Sequence, residues 1–94
     1  MIVAWFLRGY DKRTEFEAVS HRLPGGVLPL ARSLVRPAAG DPDMLDPYEL
    51  TVPAVRTLAD RIGVPIDPMA YDYFVESSDI SMIPALQGEM APAD

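Results

Sequence analysis

The sequence begins with a run, residues 2–10, that is apolar at both alternating positions. The two sides are, in order, Ile2, Ala4 and Phe6, and Val3, Trp5 and Leu7. Aromatic and β-branched side chains of this kind favour a β-strand, because they pack well on a pleated surface. A strand that is apolar on both sides is usually buried on both sides, at the centre of its sheet. The run therefore predicts a central strand around which the rest of the chain folds.

A hairpin is predicted directly after this strand. Residues 11–14, Asp-Lys-Arg-Thr, are typical of a tight turn, since aspartate is favoured at its first position. Residues 15–22 then predict a second strand that returns antiparallel to the first. Its two sides are, in order, Phe16 and Ala18, and Glu15, Glu17, Val19 and His21.

Two helices and a third strand are predicted from changes in the apolar period. Residues 27–35 have helical spacing, and Pro37 ends that helix because the residue before a proline avoids the α region. Thr51 is a credible N-cap and Gly63 a natural stop for a second helix. Residues 70–76 alternate as a third strand. Its two sides are, in order, Tyr71, Tyr73 and Val75, and Asp72, Phe74 and Glu76.

Together these elements predict an α+β fold of order ββααβ, with a three-stranded antiparallel sheet and two helices packed on one face. Residues 1–76 would form a single α+β domain, and residues 77–94 a C-terminal tail that is either disordered or docked. The first strand would lie between the other two. The second face of the sheet would then need a cover: the tail, a second copy or another protein. The candidates for that face, depending on the strand register, are Val3, Trp5 and Leu7 with Tyr71, Tyr73 and Val75.

Composition excludes several classes of function. The chain has no cysteine and one histidine, which rules out a disulfide scaffold, a thiolate zinc site and any site that needs two imidazoles. It also lacks an apolar stretch of about 18 residues, so no membrane span is expected. Because the N-terminus does not have the pattern of a signal peptide, a cytoplasmic location is expected. We expect no catalytic residues, no metal and no cofactor.

The net charge of −6 is unevenly distributed along the chain. Residues 1–36 carry six basic and three acidic side chains, and residues 37–94 carry two basic and eleven acidic ones. An acidic surface repels phosphate backbones, which argues against nucleic acid as a partner. The same surface would attract a basic protein and speed its association. An excess of acidic side chains also keeps a small protein soluble. Solubility as its only role stays open as an alternative.

The most acidic segment, residues 41–49, places four carboxylates in nine residues. Such a cluster suggests calcium, but the segment lacks the central glycine of an EF-hand loop and is stiffened by Pro42 and Pro47. It is either a solvated acidic loop or a loop that presents its side chains to a basic partner. The partner-binding candidates in it are Asp41, Asp43, Asp46, Tyr48 and Glu49.

Three segments together resemble a known pattern. They are Trp5 with Tyr-Asp-Lys-Arg-Thr-Glu at 10–15, Asp-Met-Leu-Asp-Pro-Tyr-Glu-Leu at 43–50, and Tyr-Asp-Tyr-Phe-Val-Glu at 71–76. Small bacterial proteins with this pattern form an uncharacterised domain family, which resembles the immunity proteins of polymorphic toxin systems, the cytoplasmic antidotes to secreted or contact-delivered toxins. The resemblance covers about residues 3–76 and leaves the tail unmatched.

The resemblance implies a non-catalytic binding protein that neutralises a cognate bacterial toxin by direct binding. The acidic loop would steer the chain toward a basic toxin surface, and the third strand would supply anchors through Asp72, Tyr73 and Glu76. Two alternatives stay open. One is a homo-oligomeric structural or regulatory module, for instance a homodimer, that pairs through the uncovered sheet face. The other is a small enzyme or metal protein built on the acidic loop.

Overall fold

The computed structural model describes residues 2–82 of the chain. It confirms the α+β class and the two helices, but the sheet has four strands and not the three that were predicted. The strands are β1 (Val3–Asp11), β2 (Glu17–Arg22), β3 (Tyr48–Glu49) and β4 (Tyr71–Asp79), and the helices are α1 (Leu28–Val35) and α2 (Val52–Ile62). A single 3₁₀ turn, Gly25–Val27, leads into α1. None of the helices within residues 2–82 is long and apolar enough to cross a membrane.

The sheet is antiparallel throughout, with the strand order β2-β1-β4-β3. The prediction that the first strand lies between the second and the last long strand is confirmed. The additional strand, β3, lies at the far edge, where Tyr48 pairs with Val75 and Glu49 with Phe74. It was missed because two residues are too short to show a period of two, and because prolines fill the segment before it.

The last strand extends beyond its predicted end. β4 continues through Asp79, and its final residues pair with Val3, Ala4 and Trp5 of β1. Ser77, Ser78 and Asp79 are polar, so this part of the strand has no apolar alternation that would have revealed it. The first residues of the predicted tail are therefore part of the sheet. Of the rest of that tail, residues 83–94 lie outside the described residues.

The helices cover the sheet face that was expected to be uncovered. Leu7, Tyr73 and Val75 pack with Val55 and Leu58 of α2 in the main core. Trp5 and Tyr71 pack against the same core. The expectation that Trp5, Leu7, Tyr71, Tyr73 and Val75 lie on the uncovered face is therefore wrong. Because β1 is apolar on both sides, its pattern did not determine which side the helices cover. In β4 the more apolar side is buried against the helices, as register in a half-buried strand requires.

The helix ends agree with the predicted signals. The Thr51 hydroxyl accepts a hydrogen bond from the backbone N–H of Ala54 at 3.3 Å, which caps α2 at its start. Gly63 ends the helix in the left-handed region, at φ 73°. In α1 the corresponding left-handed residue is Arg36, at φ 51°, directly before Pro37.

The predicted turn is confirmed, and the start of β2 departs from its predicted pattern. The Asp11 carboxylate accepts hydrogen bonds from the backbone N–H groups of Arg13 at 2.7 Å and Thr14 at 3.2 Å. These two bonds hold the pKa of Asp11 below its usual range. The β1–β2 register shifts between Gly9 and Tyr10, so Glu17 lies opposite Tyr10. Glu17 is therefore on the side away from the helices, and not with Val19 and His21 as expected.

Candidate functional site

The face of the sheet that points away from the helices is the candidate site, and we call it the open face. It consists of the alternating positions of the two central strands, Ala4, Phe6, Arg8 and Tyr10 of β1 and Asp72, Phe74, Glu76 and Ser78 of β4. Within residues 2–82 both helices pack on the opposite face. At one end Ala4 and Phe6 form a small second core with Ile80, the residue that follows β4. The remainder of the face combines charged groups with aromatic rings.

A charged network lies at the middle of the open face. Arg8 donates through Nη1 to Glu76 Oε1 at 3.2 Å and to Ser78 Oγ at 3.0 Å. The Tyr10 hydroxyl lies 2.8 Å from each oxygen of the Glu76 carboxylate. The Arg8 and Glu76 side chains are only 18% and 16% exposed, so this pair is better shielded from water than an ordinary surface ion pair.

Arg8 also contacts the neighbours of this network on β1 and β2. Its guanidinium carbon lies 4.4 Å from the centre of the Phe6 ring, a cation–π contact. Its Nε lies 3.6 Å from Glu17 Oε1 and donates to Ser20 Oγ at 3.4 Å. The chain's own arginine thus lies over an aromatic ring with a carboxylate on each side.

This environment changes the acidity of Tyr10. Partial burial, followed by the hydrogen bond to Glu76 and the negative charge of that carboxylate, raises the pKa of Tyr10 to about 12. Since the folded value lies above the unfolded value of about 10, the neutral hydroxyl stabilises the fold below pH 10. That contribution is lost as the pH rises through the folded value.

We expect the substitution Glu76→Gln to lower the pKa of Tyr10, because it removes the negative charge next to the hydroxyl. The value should stay above the usual 10, because burial of the ring persists. Absorbance of the phenolate near 295 nm, compared with Tyr10→Phe to identify the signal, measures the shift. Asp72→Asn is the matched control and should leave the pKa of Tyr10 unchanged. An unchanged pKa in Glu76→Gln would contradict the assigned hydrogen bond.

A depression of about 390 Å³ lies at the hairpin end of the open face. Its walls are two aromatic rings, a proline, four carboxylates and one lysine: Tyr10, Phe74, Pro47, Asp11, Glu15, Asp72, Glu76 and Lys12. The rings of Tyr10 and Phe74 meet edge to face, with centres 5.5 Å apart. Lys12 Nζ lies 2.7 Å from Asp72 Oδ1 at the rim. The depression thus has an aromatic wall and a surplus of negative charge.

The acidic loop, residues 41–49, is held by its own first carboxylate. Asp41 accepts hydrogen bonds from the backbone N–H groups of Leu45 at 2.8 Å and Asp46 at 3.0 Å, and from the Tyr48 hydroxyl at 2.6 Å. The bond from Tyr48 is the main reason that the pKa of Asp41 lies below its usual range. The same bond raises the pKa of Tyr48. Asp41 therefore stabilises the loop above its ordinary pKa, and this stabilisation is lost as the pH falls through the lowered value.

The loop is also fastened to the sheet. The indole N–H of Trp5 donates to the carbonyl of Met44 at 3.0 Å, and the Ser77 hydroxyl donates to the carbonyl of Leu45 at 2.8 Å. Met44 is only 1% exposed and lies in the main core. The loop consequently has a defined position beside β4, and its exposed carboxylates keep fixed places relative to the sheet.

Seven of the eight predicted partner-binding residues fall into three groups. Asp43, Asp46 and Glu49 are exposed, and Glu49 is opposite Phe74 in the sheet register, which places it on the same side as the open face. Asp72 and Glu76 lie on the open face itself. Asp41 and Tyr48 bond to each other inside the loop.

Tyr73 lies in the main core, with 3% of its surface exposed. Its hydroxyl accepts a hydrogen bond from the backbone N–H of Asp67 at 2.9 Å, and its ring packs on Gly9 so closely that an added Cβ would lie 3.0 Å from Tyr73 Cε1. We therefore leave Tyr73 out of the surface proposed below.

Arg8, Tyr10 and Phe74 were not among the predicted site residues, yet they form the centre of the open face. A signal for them was present in the sequence. Arg8 and Tyr10 share one side of β1, and Phe74 shares one side of β4 with Asp72 and Glu76. Long side chains of opposite charge on neighbouring strands also pair diagonally, two positions from the register partner, as Arg8 and Glu76 do. Using that signal would have required knowing the register.

Pairing of β1 with β4 brings together basic and acidic side chains from distant parts of the sequence. Arg8 and Lys12 from the basic first part of the chain bind Glu76 and Asp72 from its acidic remainder. The basic and acidic parts of the sequence are therefore interleaved in space on this sheet. Among residues 2–82 no group of three His, Cys, Asp or Glu side chains is placed to hold a metal ion.

Comparison with known proteins assigns the chain to a family. A family model described as "Domain of unknown function (DUF7683)" matches residues 4–76, a range that includes both helices and most of the sheet. No curated protein matches the chain, and no solved structure matches it. The match supports the predicted membership in an uncharacterised domain family and carries no evidence on an immunity role.

Proposed function

The chain belongs to the DUF7683 family of domains of unknown function, and we propose that it is a non-catalytic binding protein whose open face holds a basic protein partner. The observation that carries this proposal is the open face itself. It lies opposite both described helices and presents half-buried aromatic rings between carboxylates. Aromatic anchors within a charged rim are the features that protein-binding surfaces share.

The exposed carboxylates beside the open face support a basic partner. Asp43, Asp46 and Glu49 lie on or next to a loop that is fixed to the sheet, and the whole chain has a net charge of −6. Such a surface raises the rate at which a positively charged protein meets it, and repels a nucleic-acid backbone. We therefore propose no nucleic acid and no membrane as partner.

More specifically, we propose a cytoplasmic immunity protein that neutralises a bacterial toxin by occupying its surface. The three sequence segments that resemble such proteins support this role. All three contribute to the site: residues 10–15 form the hairpin end of the depression, residues 43–50 supply Pro47 to its wall, and residues 71–76 supply its acidic and aromatic strand. Blocking a surface by direct contact needs no reacting group and no cofactor.

The alternative is a homo-oligomer that pairs through the same face. The partly buried rings of Tyr10 and Phe74 favour it, because the open face of each copy would cover the rings of the other. Sedimentation of the purified chain separates the two: a stable dimer supports the alternative, and a monomer that captures a foreign partner supports the first proposal. Burial of Trp5 cannot be used to detect such pairing, because its indole N–H donates to the carbonyl of Met44 on the side of the helices.

Co-expression with the product of the adjacent open reading frame tests the immunity role. Where that product stops growth, the wild-type chain should restore growth and co-purify with it. The double variant Glu49→Lys, Asp72→Lys should lose both effects, because both charges lie on the proposed surface. Asp60→Lys is the matched control, since Asp60 is exposed on α2 in the helical layer.

Circular dichroism of each variant excludes unfolding as the cause of a loss. The immunity role is wrong if the adjacent product is toxic and the folded wild-type chain neither binds it nor restores growth. The open face is the wrong surface if the double variant protects as well as the wild type does.

A further inference from the structure

We infer that the depression at the hairpin end of the open face receives an arginine side chain of the protein partner. This inference rests on the proposed function for the existence of a basic partner and names the group by which it is recognised. The depression has a volume of about 390 Å³, which is within the range of small-ligand sites. It is large enough for one side chain and too small for a folded element of the partner.

The walls of the depression match a guanidinium in both shape and charge. Phe74, Tyr10 and Pro47 supply flat apolar surface, against which a planar cation stacks. Asp72 and Glu76 extend from the same side of β4 two strand positions on either side of Phe74, so a cation over that ring has a carboxylate in each direction. Arginine uses this arrangement better than lysine, because its planar fork can stack and donate to two acceptors at once.

The open face already contains one example of this arrangement. Arg8 lies 4.4 Å over the Phe6 ring, 3.2 Å from Glu76 and 3.6 Å from Glu17. The depression has the same combination of one ring and two carboxylates further along the open face. Phe74 is the ring, and Asp72 and Glu76 are the carboxylates. The second cation position has no guanidinium of this chain among its lining residues.

In this proposal the cation comes from another molecule. The depression is lined by four carboxylates and one cation, Lys12, which is bound to Asp72. The twelve residues that follow the described part, 83–94, contain no lysine or arginine, so that segment has no guanidinium to supply. A foreign arginine would take the place of the Lys12 ammonium at Asp72. Lys12 therefore competes with the partner, and its removal should strengthen binding.

Titration of the isotope-labelled full chain with the peptide acetyl-Gly-Arg-Gly-amide, followed by NMR, tests the inference. We expect saturable shifts of the Tyr10 and Phe74 ring signals and of the amides at 10–12 and 72–76. The lysine peptide should bind more weakly, and the uncharged citrulline peptide should give no saturable shift. The Arg peptide should bind Phe74→Leu roughly two- to five-fold more weakly, as loss of one exposed cation–π contact predicts.

The variants Phe74→Leu and Lys12→Gln should change the affinity for the Arg peptide in opposite directions. Lys12→Gln should bind the peptide up to about five-fold more tightly, as removal of one exposed competing charge predicts. Asp60→Asn, which changes the charge in the helical layer, should bind like the wild type. The inference is overturned if the shifts spread evenly over the acidic loop, if Lys12→Gln binds more weakly, or if Phe74→Leu binds unchanged.

Two further outcomes separate this inference from the function on which it rests. Shifts of the same ring signals that grow with protein concentration alone would show that a second copy is the occupant, and would overturn a foreign partner. Growth protection that persists in a folded Phe74→Leu, Asp72→Asn chain with no peptide binding would overturn the arginine site and leave the immunity role standing.

Discussion

Replacing Leu7 by alanine is expected to lower the free energy of unfolding by about 2–5 kcal/mol, the range for a large-to-small change in a closed core. Leu7 is 0% exposed and packs beneath the helices with Tyr73 and Val75. A domain of this size has a stability of roughly 5–15 kcal/mol, so the variant should lose a large part of it. Urea unfolding measures the change as a shift of the midpoint at constant slope.

Phe16→Ala is the matched control for Leu7. Phe16 is a large apolar side chain of the same hairpin, but it is 76% exposed, and its truncation should change stability by less than about 0.5 kcal/mol. Equal losses in the two variants would show that Leu7 is not beneath the helices. That result would mean that β1 has the opposite orientation, with Leu7 on the uncovered face.

The second large effect is expected for Arg8→Ala, at about 1–3 kcal/mol, because the substitution leaves Glu76 partly buried without its cation. The variant loses the hydrogen bonds to Glu76 and Ser78 and the contact over the Phe6 ring. Tyr10 then remains as the side-chain donor to the Glu76 carboxylate among these contacts. Thermal and urea unfolding at neutral pH give the magnitude.

Arg13→Ala is the control for Arg8, since it removes the same type of side chain from the same hairpin. The Arg13 side chain is 88% exposed and lies 3.8 Å from Asp11, so its loss should have little effect on stability. The double variant Arg8→Ala, Glu76→Ala completes a cycle and should recover part of the loss, because no charge is then left unpaired. Additive losses would show that Arg8 and Glu76 do not interact.

Both effects follow from one property of the central strand. β1 has apolar side chains at both sets of alternating positions up to Leu7, and beyond that point the two sets differ. Gly9 continues the side beneath the helices, where the Tyr73 ring needs the space, and Arg8 and Tyr10 continue the open face. Along its length, β1 thus passes from a segment that is apolar on both sides to one whose open-face side carries polar and charged groups.

Much of the candidate site was visible in the sequence, but its members were grouped differently. The acidic loop and the charged strand residues Asp72 and Glu76 were recognised from composition and alternation. Asp41 and Tyr48 looked like partner-binding groups because nothing local shows that they bond to each other. Arg8 and Tyr10 were overlooked because their role depends on Glu76, which is 66 or more residues away along the chain.

The sequence by itself determined the elements of this protein: the hairpin, two helices with their caps and stops, and the last long strand. These signals are local, because turns, caps and apolar periods act within a few residues. Only the tertiary structure decided which side of β1 the helices cover, that a two-residue strand completes the sheet, and that Arg8 meets Glu76. Those features depend on register between distant segments, and a strand that is apolar on both sides permits either orientation until its neighbours are in place.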